Sequence, residues 1–374
     1  MKLSLIRELL LEPLSVLNSI STSKNLSFPI LSNILFSINE DKLVLSATDL
    51  EVELSVTILN RSDSTGNFTI PCRKFYDIVK KFPEGSFLNF SFTETKVTIS
   101  CARSRFVLSI LPANEFPLFK SEDEFSSLKI KQSVLKTCIA NTEFCMALKD
   151  VRYYLNGLLF EIHNKFFTCV TTDGHRLAFY QTDEISDCNF LEFSDDSKLQ
   201  VLLPRKSILD IYKLLYDSDD LIEIQIASGF VKFIFNGLIF TTKLIDSKFP
   251  EYNRVIPKET NLSIEINRQE LRDTLLRAAI LSTDKFKAIR IDFSDGKLIT
   301  SLHNSEHEEM EEELSINYSG VEFTIGFNIN YIIDALNHIQ DTNIVFNFTE
   351  SLNSCLLHGI TTDLPLYVVM PMRL

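Results

Sequence analysis

The sequence predicts an α+β protein made of three tandem copies of one unit, each with two helices and a set of short antiparallel strands. Two pairs of similar segments predict the repeat. Thr48–Asp49 and Thr172–Asp173 each follow an alternating apolar run, and Ile70–Val79 is echoed by Leu203–Ile211 with a basic pair in both. A degenerate third copy, Ile325–Ala335, keeps the apolar spacing without the basic pair. Repeated segments separated by about the length of one domain indicate domains of similar fold.

Hydrophobic spacing defines the elements of the first unit. Leu5–Ile20 has apolar residues at helical spacing, with Pro13 expected to kink the helix, and Arg73–Phe82 forms a second helix. The polar and acidic stretch Pro117–Ser127 marks a boundary, so the first domain is residues 1–125. Alternation predicts strands over Ile34–Asn39, Lys42–Ala47, Glu51–Leu59, Ser86–Thr93, Lys96–Cys101 and Arg105–Leu111.

The second and third units repeat this plan. Helices are expected over Ser133–Leu148 and Arg205–Leu215 in the second unit and over Glu270–Leu281 in the third. The acidic, serine-containing stretch Asp183–Lys198 is interpreted as a mobile loop, and Pro250–Pro257 marks the boundary between domains 126–256 and 257–374. Alternation predicts strands over Gly157–Ile162, Phe167–Thr171, Arg176–Gln181, Leu221–Phe235 and Leu238–Ile245.

Composition indicates a large globular protein of the cytoplasm. The 374 residues are 45% hydrophobic, and their apolar runs are too short for a membrane span. The first residues lack the apolar core of a secretory signal. No CxxC motif occurs, so the cysteines are expected to be buried, reduced thiols; they are Cys72, Cys101, Cys138, Cys145, Cys169, Cys188 and Cys355.

The net charge of −13 argues against simple electrostatic wrapping of nucleic acid, yet the charge is unevenly distributed. Acidic residues concentrate in Asp183–Asp196, Asp217–Glu223 and Glu306–Glu313, whereas the predicted helices lean basic. A single basic helix is as often a solvated face as a binding face, but the pattern recurs in every unit. The basic residues include Arg73, Lys74, Arg205, Lys206, Arg268, Arg272 and Arg277.

The motifs do not support an enzyme. Asp173, His175 and Arg176 suggest acid–base chemistry, but no nucleophile or partner carboxylate recurs at a readable spacing. His303 and His307 have the spacing of a metal pair, yet they fall at a predicted strand end or loop with no third ligand. No glycine motif for nucleotides is present. No catalytic residue, metal site or cofactor is therefore expected.

Motifs along the whole chain resemble those of bacterial replicative sliding clamps, the β subunit of DNA polymerase III, and they occur in that family's order. The matching segments are Thr48–Glu51, Pro71–Phe75, Ser104–Phe106, Leu111–Pro117, Arg152–Gly157, Thr172–Leu177, Phe249–Tyr252, Arg277–Ser282, Tyr318–Gly320, Gly326–Asn328 and Val368–Leu374.

The resemblance implies a DNA clamp fold in which two chains pair head to tail and close a six-domain ring. Such a ring encircles double-stranded DNA without reading its sequence, and it tethers the replicative polymerase as a non-catalytic processivity factor. The implied partners are a second copy of the chain, the polymerase alpha subunit, the clamp-loader delta subunit and other proteins that carry clamp-binding peptides. The alternative is a β-rich peptide-binding scaffold with no role on DNA.

The resemblance also assigns three sets of site residues. The peptide groove between domains 2 and 3 corresponds to Leu155, Thr172, Gly174, His175, Arg176, Leu177, Pro250, Arg254, Val255, Phe286, Asn328, Tyr331, Leu352, Ser354, Val368, Val369, Met370, Pro371 and Met372. The DNA contacts correspond to Lys24, Arg73, Lys149, Tyr153, Tyr154, Arg205 and Lys206, with packing as the alternative for both tyrosines. The dimer interface corresponds to Lys74, Arg103, Arg105, Phe106, Leu108, Ile280, Leu281, Glu308 and Glu311.

Within these sets, His175 and Arg176 are expected to bind peptide carbonyls from the rim of the groove. The interface is expected to join an apolar centre with basic residues in domain 1 to an apolar centre with acidic residues in domain 3. The alternative for the interface is that Phe106 belongs to the core and Glu306–Glu313 is a solvated run.

Overall fold

The structure, a computed structural model, describes residues 2–21, 28–59, 65–119, 124–163, 165–189, 198–283 and 287–373. These ranges hold six α-helices and twenty-five strands. Lys24 and Phe286, assigned above to the DNA contacts and the groove, lie outside the described residues. Within those residues, no helix is both long enough and apolar enough to cross a membrane.

The first repeat contains two strand–helix pairs. Strand β1 (Lys2–Ile6) leads into helix α1 (Arg7–Ser21), and strand β5 (Gly66–Pro71) leads into helix α2 (Cys72–Lys81). Its other strands are β2 (Asn33–Ile38), β3 (Lys42–Thr48), β4 (Val52–Leu59), β6 (Phe87–Phe92), β7 (Lys96–Cys101) and β8 (Ser104–Ser109).

The same pairing of a strand with a following helix recurs in the other two repeats. The second repeat consists of β9 (Ser126–Lys131), α3 (Gln132–Ala140), β10 (Gly157–His163), β11 (Phe166–Thr172), β12 (Arg176–Thr182), β13 (Ile185–Asn189), β14 (Leu199–Pro204), α4 (Arg205–Leu214), β15 (Leu221–Ile226), β16 (Phe230–Phe235) and β17 (Leu238–Lys243). The third consists of β18 (Leu262–Asn267), α5 (Arg268–Ala278), β19 (Ala288–Ser294), β20 (Lys297–His303), β21 (Glu309–Ser315), β22 (Phe323–Asn328), α6 (Ile329–His338), β23 (Asn343–Phe348), β24 (Cys355–Gly359) and β25 (Leu366–Val369).

The chain divides into two compact units, and the middle repeat contributes to both. Unit 1 is residues 1–132, 186–193 and 218–244, with sheets of order β1-β6-β7-β8 and β13-β9-β15-β16-β17-β4-β3-β2-β5. Unit 2 is residues 133–185, 194–217 and 245–374, with sheets of order β14-β10-β11-β12-β25-β24-β23-β18 and β21-β20-β19-β22. The domains 1–125, 126–256 and 257–374 follow the sequence repeat instead, and that division stays a prediction.

Each large sheet joins strands from two repeats by antiparallel pairing. In unit 1, β4 pairs with β17, which places Leu54 opposite Phe240. In unit 2, β12 pairs with β25, which places Leu177 opposite Val368. All four side chains are buried, so the apolar faces of the joined strands form continuous cores.

The helices pack through one apolar face, as their spacing predicts. Helix α2 buries Cys72, Phe75 and Val79, which lie on one face at helical spacing, and leaves Arg73 and Lys74 exposed. Helix α6 buries Ile329, Ile332, Ile333, Ala335 and Leu336. The predicted bounds of α2 and α4 agree with the structure to within one residue.

Three predicted helices differ from the structure at an end. The helix predicted over Glu270–Leu281 is an α-helix over Arg268–Ala278 followed by a 3₁₀ turn over Ala279–Leu281. The other two are the first helix and the helix of the second repeat. The first begins at Arg7, because Leu3 and Leu5 alternate as buried residues of β1, which pairs with β6. It then continues through Pro13 to Ser21. The helix of the second repeat ends at Ala140 instead of Leu148. The Thr142 hydroxyl donates to the carbonyl of Cys138 at 2.7 Å, which satisfies a carbonyl near the end of the helix.

The predicted acidic loop is also partly wrong, because Ile185–Asn189 forms the edge strand β13 beside β9. The Asp187 carboxylate lies 3.2 Å from the Lys129 ammonium, so a charge pair holds this strand to its neighbour. Residues 190–197 of that stretch lie outside the described residues. The cysteines are free as predicted, but Cys188, on this edge strand, is exposed, whereas the other six are buried.

Candidate functional site

The turn between β11 and β12 is fixed by its own side chains. Asp173 Oδ1 accepts hydrogen bonds from the backbone N–H groups of His175 at 2.9 Å and Arg176 at 3.0 Å. The Thr172 hydroxyl donates to the carbonyl of Arg176 and accepts from the N–H of Gly174. Gly174 has a φ of +90°, where a side chain is strained. Asp173 and Thr172 therefore shape the backbone of this turn.

Arg176 is a structural residue of the same turn. Its Nε donates to Asp173 Oδ2 at 3.0 Å, Nη1 donates to Asp334 Oδ2 at 2.6 Å, and Nη2 donates to the carbonyl of Phe144 at 2.8 Å. The guanidinium also lies 4.4 Å from the ring centroid of Tyr331. These contacts, made through Nε, Nη1 and Nη2, hold the turn against helix α6, and the expected role of Arg176 in binding peptide carbonyls stays a prediction.

A cavity of about 140 Å³ opens beside this turn. The pairing of β12 with β25 places the buried Leu177 and Val368 side by side at its base. Tyr252 packs against the same apolar cluster, and Met370 is 39% exposed. The complete lining is Arg152, Tyr154, Leu155, Thr172, Gly174, Arg176, Leu177, Pro250, Tyr252, Val255, Val368 and Met370. The site is thus mostly apolar, with one cationic edge.

The cationic edge is Arg152, which lies over Gly174. Its guanidinium donates to both carboxylate oxygens of Asp150 at 3.0 and 2.9 Å. These hydrogen bonds lower the pKa of Asp150 to about 2, so the pair is charged at neutral pH. A Cβ on Gly174 would lie 3.1 Å from the Arg152 nitrogens, so any side chain there requires this arginine to shift. Sequence reasoning placed neither Arg152 nor Tyr252 at the site, because both reach it through contacts distant in sequence.

Several residues assigned to the groove lie around the cavity without lining it. The His175 side chain is exposed, and its carbonyl accepts from the N–H of Met370 at 2.9 Å. Arg254 pairs with Glu251 at 2.6 Å, and Asn328 caps helix α6 through the N–H of Asn330. The others are Tyr331 against Arg176, Leu352 against the core of unit 2, half-buried Ser354 and Pro371, buried Val369, and exposed Met372, which bonds to Gly326.

The residues assigned to the interface lie on two edge strands and beside them. Strand β8 is one edge of its sheet in unit 1, where Arg103 and Arg105 are exposed and Phe106 is 38% exposed. Strand β21 is one edge of its sheet in unit 2. Lys74 and Glu311 are exposed, Ile280 is 79% exposed, Leu108 and Leu281 are half-buried, and exposed Glu308 accepts from Asn304 at 2.6 Å.

The residues assigned to DNA differ in accessibility. Arg73, Lys149 and Lys206 are exposed, and Tyr153 is 75% exposed. Arg205 is half-buried, and its Nη1 donates to the carbonyl of Met146 at 2.9 Å. Tyr154 is half-buried and lines the cavity, which favours the packing alternative for this residue.

The remaining polar motif does not form a metal site. His303 ends strand β20 and lies 3.4 Å from a carboxylate oxygen of Glu309, while His307 lies in the following turn with a φ of +61°. The two side chains therefore do not share a helical face. Across the described ranges, no group of three or more histidine, cysteine and acidic residues has metal-binding geometry.

Comparison with known proteins identifies the family. The chain matches the models of the DNA polymerase III beta subunit for the N-terminal domain over residues 1–120, the central domain over residues 129–251 and the C-terminal domain over residues 253–373. It is 38% identical to the beta sliding clamp of Pseudomonas aeruginosa over 98% of both chains, and 37% identical to that of Escherichia coli over the full length of both.

Solved structures agree with the sequence relatives. The DNA polymerase III subunit beta of P. aeruginosa superposes with a TM-score of 0.94 at 38% identity, and the pol III beta of Caulobacter crescentus with 0.92 at 31%. In both cases all of each chain is covered. The predicted family and clamp fold are thereby confirmed. The chain therefore belongs to the DNA polymerase III beta subunit family, the beta sliding clamps, and its function is that of a DNA polymerase processivity factor.

Proposed function

We propose that two copies of the chain pair head to tail into a closed ring around duplex DNA, and that the cavity beside Gly174 receives an apolar anchor from partner proteins. The replicative polymerase alpha subunit and the clamp-loader delta subunit are the expected partners. The observation that carries the groove proposal is the apolar cavity of about 140 Å³ over Leu177 and Val368.

The cavity suits a single large apolar side chain of a peptide. Its base is formed by sheet residues whose positions are fixed by strand pairing, so little ordering is required on binding. Burial of one leucine or phenylalanine contributes about 1.5–3 kcal/mol. Met370 at the edge can change rotamer to fit different anchors, which lets one pocket serve several partners.

The proposed ring interface joins strand β8 of one copy to strand β21 of the other. An edge strand has unpaired backbone groups, and both β8 and β21 are edges. Arg103 and Arg105 make one edge basic, while Glu309 and Glu311 make the other acidic. Opposite charges favour β8 against β21 over pairing of like edges, so the contact is head to tail and two such contacts close a ring.

The proposed contact with DNA is electrostatic and independent of sequence. Arg73 and Lys206 are exposed on helices α2 and α4, which occupy equivalent places in two repeats. Charges of this kind bind phosphate without reading bases and weaken as salt rises. We keep Lys149 and Tyr153 as candidate contacts because both are exposed.

We further infer that the chain is not an enzyme and works in the cytoplasm, where bacterial DNA is replicated. Two of the three side chains that suggested acid–base chemistry, those of Asp173 and Arg176, are engaged in structure. The Asp173 carboxylate accepts hydrogen bonds from the backbone N–H groups of His175 and Arg176, and the Arg176 guanidinium donates to Asp334. A processivity factor needs no catalytic group of its own.

Retention on plasmid DNA tests the ring. The chain is loaded by an active clamp loader with ATP onto nicked circular plasmid, and half of the sample is then linearised before gel filtration. We expect retention on the circle and loss from the linear DNA, because a threaded ring slides off an open end. Equal retention on both would contradict a topological link. No retention on either would favour the peptide-binding scaffold.

A further inference from the structure

A second and larger cavity, of about 580 Å³, lies next to the one already described. Pro250 and Tyr252 line both cavities, so the segment that carries them separates two parts of one surface. The larger cavity is lined by Glu161, Lys198, Gln200, Lys248, Phe249, Pro250, Glu251, Tyr252, Asn253, Arg254, Ile256, Pro257 and Lys258. All of these residues belong to unit 2.

The Glu161 carboxylate forms a fixed part of this cavity. It accepts hydrogen bonds from the Tyr252 hydroxyl at 3.0 Å, the Lys198 ammonium at 3.0 Å and the Gln200 amide at 2.6 Å. Burial raises the pKa of Glu161, but the bonds from Gln200, Lys198 and Tyr252 outweigh it and hold the pKa below its usual range. Because Glu161 is ionised and its oxygens are occupied by these donors, it does not itself recruit a cation.

The rim of the cavity is basic. Lys198 is paired with Glu161, and Arg254 is paired with Glu251 at 2.6 Å. Lys248 and Lys258 are exposed, and within the described part of the chain neither has a carboxylate at ion-pair distance. The cavity therefore carries an excess of positive charge on a chain whose net charge is −13. This local positive charge attracts an acidic ligand, although the net charge of the whole chain repels it.

The spacing of the two cavities suits one extended peptide. Thr172 lines the smaller cavity, and Thr168, four residues earlier on the same strand, is directly opposite Glu161. Four residues of strand span roughly 13 Å. A peptide whose apolar anchor occupies the smaller cavity therefore reaches the larger one about four residues away if it runs extended along Pro250 and Tyr252.

We propose that the larger cavity is a subsite for an acidic side chain of the same partner peptide, bound by Lys248 and Lys258 about four residues from the apolar anchor. This inference rests on the proposed function of the smaller cavity. It makes the local charge of a partner's peptide a determinant of its affinity, in addition to the fit of its anchor.

Fluorescence polarisation with synthetic peptides tests the subsite. The parent peptide is the clamp-binding segment of the organism's clamp-loader delta subunit, labelled with fluorescein. Two pairs of peptides are derived from it, one altered on the N-terminal side of the anchor and one on the C-terminal side. In each pair, the fourth and fifth residues from the anchor are both aspartate in one peptide and both asparagine in the other. We expect the aspartate version on one side to bind roughly twofold to tenfold more tightly than its asparagine partner, with the gain reduced by added salt.

Variants of the full-length chain separate the subsite from the groove. The double variant K248Q/K258Q should bind the parent peptide like the wild type but lose the advantage of the aspartate peptide. The variant K213Q alters an exposed lysine of helix α4 outside the cavity and should keep that advantage.

Equal affinity of aspartate and asparagine peptides on both sides, with the parent peptide bound, would overturn the subsite and leave the groove standing. Tighter binding of the aspartate peptide that persists in K248Q/K258Q would likewise overturn the subsite and leave the groove standing. Failure of the wild-type chain to bind the parent peptide would overturn both proposals.

Discussion

Leu50 and Gly174 occupy the same place in two copies of one turn, and both have a left-handed backbone, with φ of +77° and +90°. The hydrogen bonds around them are the same. The Thr48 hydroxyl donates to the carbonyl of Val52 at 2.7 Å, as that of Thr172 does to the carbonyl of Arg176. Asp49, like Asp173, accepts from the backbone N–H groups two and three residues further along the chain. The repeat seen in the sequence therefore extends to the hydrogen bonds of the turn.

The two turns differ in the residues that line the cavity beside them. Unit 1 also has a cavity beside the turn, of about 160 Å³, but it is bordered by the side chain of Leu50 and by Lys243. Lys243 and Met370 occupy equivalent positions in the two units. The residue before Lys243 pairs with Val52, and the residue before Met370 pairs with Arg176. An exposed ammonium replaces the thioether there, so the cavity of unit 1 is a poorer receptor for an apolar anchor.

Substitution of Gly174 tests the geometry of the groove. In Gly174→Ala the added Cβ lies against the Arg152 guanidinium, and the backbone keeps a φ that alanine disfavours. We expect a loss of about 1 kcal/mol in the free energy of unfolding and weaker binding of the partner peptide, measured by urea denaturation and by fluorescence polarisation.

The matched control is Gly296→Ala, because Gly296 has a φ of +70° and its Cβ would meet nothing within 4 Å. This variant should lose similar stability and bind the peptide normally. A Gly174→Ala chain with wild-type peptide affinity would show that the position of Arg152 does not shape the site.

The sequence predicts local structure well wherever one period dominates. Helix α2 is predicted to within a residue because Cys72, Phe75 and Val79 fit only a helical face. The start of α1 is missed because Leu5 fits both the helical spacing and the alternation of β1. Spacing cannot reveal that Arg176 binds Asp334, 158 residues away, so the part of Arg176 in holding the turn is evident only from the structure.

The family resemblance supplies what spacing lacks at the groove, but only for positions that the motif contains. Leu177 and Val368 are both predicted and lie opposite each other in the sheet. Tyr252 and Arg152 fall inside matched motifs, yet their reach into the cavity depends on their contacts with Glu161 and Asp150. The Tyr252 partner is 91 residues away, and Arg152 reaches the cavity by lying over Gly174, so neither relationship is evident before the chain is folded.

The buried carboxylate of Glu161 predicts a dependence of stability on pH. Its pKa in the folded chain is lowered, so the unfolded chain takes up the proton first as the pH falls. The stability that Glu161 contributes is therefore fully present above its unfolded pKa and is lost as the pH falls through the folded pKa.

Urea denaturation of the wild type and of Glu161→Gln at pH 6.5 and pH 4 measures this effect. We expect the difference in unfolding free energy between the two chains to shrink at the lower pH, because other carboxyls titrate alike in both. A difference that is constant or grows at pH 4 would contradict the assigned role of Glu161. The variant Glu259→Gln, which alters an exposed carboxyl, serves as the control.

The exposed basic residues predict how the loaded clamp responds to salt. Arg73→Ala and Lys206→Ala each remove one proposed phosphate contact without removing a buried group. The logarithm of the binding constant for DNA falls linearly with the logarithm of the salt concentration, and we expect each variant to make this slope shallower by about one unit. The measurement is fluorescence of labelled clamps trapped on end-blocked duplex over a series of salt concentrations. An unchanged slope in both variants would place the phosphate contacts on other residues.

The opposite charges of the two strand edges predict that the dimer depends on both. Arg105→Glu on β8 and Glu311→Lys on β21 each bring like charges together across the proposed contact, so each should weaken the dimer by about 1 kcal/mol. Combining them restores opposite signs and should recover part of the loss, with sedimentation of each chain over a range of concentrations giving the dissociation constants. Lys42→Glu, on strand β3 away from both edges, should leave the dimer unchanged. If both single variants remained as dimeric as the wild type, β8 and β21 would not form the ring contact, because charge reversal at a shared edge cannot be silent in low salt.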